Sequence, residues 1–136
     1  MSLLALVVDD SMLIRHTVCR FLEARGYAVR AATNGAEAAE LLQSLTPDLI
    51  VTDMEMPRMS GSELITVVKA QPRTAGIPVI IVAGRQSGFE KTEKRANYAI
   101  FKDIDIEAQL GRALAQLTGT PGSDVEDSAK GQAAGK

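Results

Sequence analysis

Two hydrophobic periods alternate along the chain. Leu3–Val8 is an unbroken apolar run that stops at Asp9-Asp10, the pattern of a strand buried on both faces. Ile14, Val18, Phe21 and Leu22 then recur at helical spacing, and Gly26 stands where a helix C-terminus favours glycine. Residues 27–32 predict a short strand. Asn34-Gly35 is a turn, and Asn34 with Glu37 three residues on opens a helix in the manner of a capping box. Ala38, Leu41, Leu42 and Leu45 form its apolar face, and Pro47 ends it. Residues 48–53 (DLIVTD) repeat the buried-strand pattern. Ser60 with Glu63 is a second capping box, ahead of a helix carried by Leu64, Val67 and Val68 and closed by Pro72. Residues 77–83 (IPVIIVA) predict a fourth strand, 87–95 a weak polar helix, and 99–101 a short strand ending at Lys102. Asp103 or Asp105 caps a last helix with Ile106, Leu110, Ala113, Leu114 and Leu117 on one face.

Strand and helix thus alternate five times. The expected fold is α/β: a doubly wound five-stranded parallel sheet with helices on both faces, because right-handed crossovers place them there. Residues 1–118 make the domain. Residues 119–136 (GTPGSDVEDSAKGQAAGK) contain no Leu, Ile, Phe, Tyr or Met and are expected to be a disordered tail or linker.

Composition narrows the function. The chain has 136 residues, 46% of them hydrophobic, which suits one domain with a real core. Its net charge of −2 gives no basic excess for nucleic acid or anionic lipid. The longest apolar runs, six residues at most, fall far short of the ~20 that a membrane helix needs. No secretory signal is visible, so a cytoplasmic location is expected. One Cys (Cys19) excludes an internal disulfide, and one His (His16) excludes multi-histidine metal sites. The chemistry must rest on carboxylates, lysine or hydroxyls.

In an open parallel sheet, ligands bind at the carboxyl ends of the strands. Asp9 and Asp10 end the first strand, Asp53 the third, Ala83 the fourth and Lys102 the fifth. Three carboxylates gathered there resist joint ionisation unless a cation joins them. Mg²⁺ suits the need, since it prefers oxygen ligands. Asp10 and Asp53 are the expected direct ligands, with Asp9 acting directly or through water. Lys102 adds a point charge opposite. The pocket so formed fits a tetrahedral dianion beside a carboxylate, hence phosphoryl transfer to an aspartate oxygen.

These residues carry a resemblance. VVDDS at 7–11 with Arg15, DLIVTDMEMPRMSGSEL at 48–64, IPVII at 77–81 and the Lys102 that ends IFK together resemble the receiver domain of two-component response regulators. Chemotaxis-type single-domain regulators are included in that likeness, which covers residues 3–118. It implies a flavodoxin-like receiver fold and a phosphoryl group passed to Asp53 from a histidine kinase or phosphotransfer protein. It also implies Mg²⁺ held by Asp9, Asp10, Asp53 and the backbone carbonyl of Glu55, with Lys102 on the phosphoryl oxygens. A partner-binding surface made by the fourth helix, fifth strand and fifth helix would then shift. Such a domain assists its own phosphorylation and dephosphorylation but is no enzyme toward other substrates. It would work as a monomer or weak dimer, without nucleic acid or membrane.

The sequence departs from the family at three places. The Thr or Ser that usually ends the fourth strand is Ala83, which has no hydroxyl. Losing that donor should cost roughly 1.5–3 kcal/mol of phospho-state stabilisation, although the Gly84 amide is a candidate substitute. The usual Tyr or Phe of the fifth strand is Ala99, and Tyr98 beside it should face the other way. The usual Lys-Pro pair is Lys102-Asp103, which predicts a trans or strained connection and a displaced Lys102. An alternative reading is therefore a phosphorylation-independent pseudo-receiver, an interaction module on the same fold. A phosphatase using Asp53 as nucleophile is a third, disfavoured because the first strand lacks the usual DxD. Among smaller features, Glu55 and Arg85 flank the pocket mouth, either as a pair or as solvated charges. Met54, Met56, Pro57 and Met59 either pack on the domain or form a docking surface with Met12 and Ile14. His16 is expected on the surface and Cys19 half-buried.

Overall fold

A computed structural model describes residues 3–84, 95–102 and 105–118. Its elements are β1 (Leu3–Val8), α1 (Met12–Ala24), β2 (Tyr27–Ala32), α2 (Gly35–Leu41), β3 (Leu49–Asp53), α3 (Gly61–Ala70), α4 (Pro72–Ala75), β4 (Val79–Ala83), β5 (Tyr98–Phe101) and α5 (Ile106–Thr118). The five strands form one parallel sheet in the order β2-β1-β3-β4-β5. This is the doubly wound arrangement that the alternating periods predict.

Strand alternation divides the core in two. Leu6, Val8, Ile50, Val79 and Ile81 face α2 and α3, where Ala38, Leu42, Leu64, Ile65 and Val68 meet them. Ala5, Val7, Val51, Ile80 and Val82 face α1 and α5, against Val18, Leu22, Leu110 and Ala113. Successive side chains of one strand thus serve opposite layers, which is why the central strands read as continuous apolar runs. β3 and β4 are buried at every position.

Local chemistry sets the element ends. Ser11 caps α1 by accepting from the Ile14 amide. Gly26, at φ 95°, turns the chain out of that helix in the left-handed region. The box at α3 is complete, with Ser60 and Glu63 each bonded to the other's backbone amide. The box at α2 is displaced: Asn34 accepts from the Glu37 amide, but the Glu37 carboxylate reaches back to the Thr33 amide and hydroxyl, at 2.6 and 2.9 Å. Those bonds hold the Glu37 carboxyl below its usual range. Asp105 caps α5, accepting through its carboxylate from the Ala108 amide, while Asp103 lies outside the described residues.

Several boundaries differ from expectation. α2 stops at Leu41 rather than running to Leu45, because Arg73 donates to the carbonyls of Leu42 and Leu45 and fixes the chain as it leaves the helix. β4 begins at Val79, since Pro78 has no amide proton for the ladder. The residues after Pro72 form a single helical turn. Ile65 joins the buried face of α3, while Val67 is only half-buried. The helix expected over 87–95 lies outside the described residues apart from Arg95, which is in a turn. The tail expected over 119–136 lies outside them entirely. No helix among the described residues is long and apolar enough to cross a membrane.

Candidate functional site

Because all strands run one way, their carboxyl ends share an edge. The register pairs Val8 with Thr52, so Asp9 follows β1 directly beside Asp53 at the end of β3. Asp9, Asp10 and Asp53 each bring a carboxylate oxygen within 4.8 Å of the others. Asp9 and Asp53 are buried, each 2% exposed, and Asp10 is exposed. The structure thus brings together the three carboxylates named from sequence.

Lys102 joins them, contrary to the expected displacement. Its ammonium lies 3.1 Å from Asp53 Oδ2 and 3.9 Å from Asp9 Oδ2. The Lys102 amide donates to the Ala83 carbonyl at 3.0 Å, so the ladder between β4 and the fifth strand continues one residue past β5 and aims the side chain inward. Asp53 Oδ1 accepts from the Glu55 amide at 3.4 Å. Among the described residues, Oδ2 faces the Lys102 ammonium alone, and as a carboxylate oxygen with two lone pairs it keeps unused acceptor capacity.

Burial dominates the electrostatics. It pushes the Asp53 carboxyl up to about 6, with the Asp9 charge adding to the rise and Lys102 and the Glu55 amide opposing it. Burial also raises Asp9, against the Ser11 amide and Lys102. Three hard carboxylate donors beside the single ammonium of Lys102, one with spare acceptor capacity, fit a small divalent ion such as Mg²⁺.

The backbone around these groups is tightly set. Asp9 Oδ1 accepts from the Ser11 amide at 2.8 Å, and Arg15 donates to the Asp9 carbonyl at 2.8 Å. A Cβ at Gly61 would overlap the Asp53 carbonyl oxygen, so only glycine lets α3 start against the end of β3. Gly35 meets Met59 in the same way, joining α2 to the loop that follows β3. Between them Arg58 sits at φ 72°, at the centre of a three-residue turn closed by the Met59 amide on the Pro57 carbonyl.

The departures also take their places. Ala83 is buried at the end of β4, 2% exposed, with only a methyl group. Ala99 pairs with Ile81 and packs on the α2–α3 side, whereas Tyr98 packs on the α1–α5 side. The ring therefore faces away from position 83, as alternation requires. Met54, Met56 and Met59 are half-buried against the core, which favours packing over a free docking loop. His16 is exposed and Cys19 half-buried. Arg85 and Asp103 lie outside the described residues.

Sequence reasoning missed Leu13, which is 74% exposed beside Met12 at 72% on the first turn of α1. It also missed Gln109, whose side-chain amide binds both backbone groups of Phe101, at 3.0 and 2.8 Å. A glutamine on a helix carries no periodic signal, so only the geometry exposes it.

Comparison with known proteins gives the family. Residues 5–114 match the family model described as the response regulator receiver domain. The response regulator MprA of Mycobacterium bovis is 34% identical over 133 residues, covering 94% of this chain and 56% of that protein. The chain therefore spans little more than half the length of that relative. The chemotaxis response regulator CheY4 of Vibrio cholerae superposes with a TM-score of 0.78 at 29% identity, covering 86% of this chain and 99% of that one. The receiver domain of a Pseudomonas aeruginosa sensor histidine kinase, 21% identical, shares the fold at a TM-score of 0.78, covering 88% of this chain and 100% of its own. That structure has a magnesium ion coordinated in its active site cleft.

Proposed function

The chain belongs to the response regulator receiver domain family, and on that footing we propose that Asp53 accepts a phosphoryl group from the phosphohistidine of a histidine kinase or phosphotransfer protein. The domain then changes how it binds a downstream protein. One observation carries the reading: a buried Asp53 carboxylate at a strand end, with Lys102 at 3.1 Å and spare acceptor capacity on Oδ2. At about 6, the Asp53 carboxyl is mostly ionised near neutral pH, as a nucleophile must be.

An Asp53 oxygen bonds to phosphorus as the phosphorus–nitrogen bond breaks, and the electron pair stays on the imidazole. Lys102 offsets charge on the transferred oxygens. Mg²⁺, held by Asp9, Asp10, Asp53 and the Glu55 carbonyl, would supply the remaining positive charge. Met12 and Leu13 border this edge, and Leu13, Ile14, Thr17, Lys102, Asp105, Ile106 and Glu107 line an adjoining open cavity of about 430 Å³, of mixed apolar and charged character. The exposed Met12–Leu13 pair beside Asp53 suits docking of the phosphodonor.

The pseudo-receiver reading draws on one observation, the methyl group of Ala83 where a hydroxyl is usual. Incubation with Mg²⁺ and an autophosphorylated histidine kinase separates the two. The phosphoacceptor reading expects a hydroxylamine-labile phosphate on the wild type and none on Asp53→Asn. Failure of several kinases and of small acyl phosphates alike would leave the pseudo-receiver.

A further inference from the structure

Lys102 lies just past β5, an outer strand whose one strand partner is β4. Its placement depends on the Phe101–Lys102 peptide, and both ends of that peptide plane are held. The Lys102 amide donates to the Ala83 carbonyl at 3.0 Å. The Phe101 carbonyl accepts from Gln109 Nε2 at 2.8 Å. Gln109 Oε1 also accepts from the Phe101 amide at 3.0 Å, so this side chain from α5 bonds the outer edge of the strand as a neighbouring strand would. Gln109 Nε2 also donates to the Asp105 carbonyl, at 3.4 Å, the same oxygen that accepts from the Gln109 backbone amide at 3.1 Å in the first turn of α5.

We propose that Gln109 is the positioning residue for Lys102, and that it ties the site to α5 through the Phe101–Lys102 peptide. This rests on the phosphoacceptor reading for its consequence but not for its geometry. Turning that peptide swings the Lys102 Cα–Cβ direction, so a shift of the ammonium is passed to the first turns of α5, and a shift of α5 is passed back. The connection matters more here because position 83 has no hydroxyl and Tyr98 packs on the opposite face from Ala99.

The test is a double-mutant cycle on phosphate uptake from a small acyl phosphate with Mg²⁺, with melting temperature read alongside. Gln109→Met keeps length and helix propensity but removes both bonds. It is expected to slow uptake about tenfold in the wild type, the effect of losing a hydrogen-bonded contact, and by less than about twofold in Lys102→Ala. Gln109→Glu keeps only the bond from the Phe101 amide and should resemble Gln109→Met. An equal slowing in both backgrounds would overturn the proposal, because Gln109 would then act independently of Lys102. A crystal structure of Gln109→Met gives a second readout that needs no phosphorylation. The proposal expects Lys102 to leave Asp53, and an ion pair unchanged from 3.1 Å overturns it. If the wild type takes no phosphate, the phosphoacceptor reading fails, and the position of Lys102 in that crystal structure still decides the role of Gln109.

Discussion

The acceptor side and the output side of this domain are built to different standards. At the ends of β1 and β3, Asp9 and Asp53 are buried, hydrogen-bonded to local amides and paired with Lys102. Ala83 at the end of β4 and Ala99 within β5 carry only methyl groups on the same side of the sheet, where the receiver resemblance leads one to expect a hydroxyl and an aromatic ring. On the proposed function, receiving a phosphoryl group and reporting it would fall to different side chains, so one set could be stripped while the other stays whole. Lys102 belongs to both sides, since its ammonium pairs with Asp53 and its backbone continues β5 toward α5.

The comparison is broken most severely through charge. The Asp53 carboxyl is raised in the folded protein, so between about pH 4 and 6 the folded state holds a proton that the unfolded state has released. The sign follows: this contribution to stability is full below about pH 4 and falls as pH rises through about 6. With Mg²⁺ removed, the wild type should lose stability relative to Asp53→Asn as pH rises from 4 to 7. Thermal melts of the two proteins across that range check it, and Mg²⁺ should recover more stability at pH 7 than at pH 5.

Restoring the missing donor comes next. Ala83→Thr should favour the phosphorylated state by roughly 1.5–3 kcal/mol, read as a longer-lived adduct. An unchanged lifetime would mean that the acceptor side needs nothing from β4. Gly61→Ala attacks the acceptor side by shape alone. Its methyl would displace the Asp53 carbonyl, at a cost of about 1–3 kcal/mol in chemical denaturation and a loss of phosphate uptake. The smallest effect is expected at Gly111, within α5, where a Cβ would meet Arg25 and Phe21 at 3.5 and 3.6 Å, ordinary contact. Gly111→Ala should therefore stabilise by roughly 0.5–1 kcal/mol and leave phosphate uptake unchanged.

Most of the fold was legible because buried parallel strands leave continuous apolar runs, and each run ends where charge begins. The same feature made Asp9, Asp10, Asp53 and Lys102 legible as one cluster. Boundaries set by a distant side chain were not: Arg73 fixes the exit of α2 from 28 residues away in sequence. Glu37 reaches Thr33 rather than Asn34, a choice that the spacing of a capping box leaves open. The expected displacement of Lys102 came from judging its connection by Asp103 alone, whereas the Ala83 carbonyl and Gln109 hold the peptide before it.

On the proposed function the Asp53 site takes up phosphate despite the methyl groups at positions 83 and 99. The most direct test is the intact mass of the protein after incubation with a small acyl phosphate, with and without Mg²⁺, and with Asp53→Asn as control. The account predicts one phosphate on the wild type, dependent on Mg²⁺, and none on Asp53→Asn. Wild-type protein that binds Mg²⁺ yet gains no mass, or an Asp53→Asn protein that gains the same mass, would contradict it.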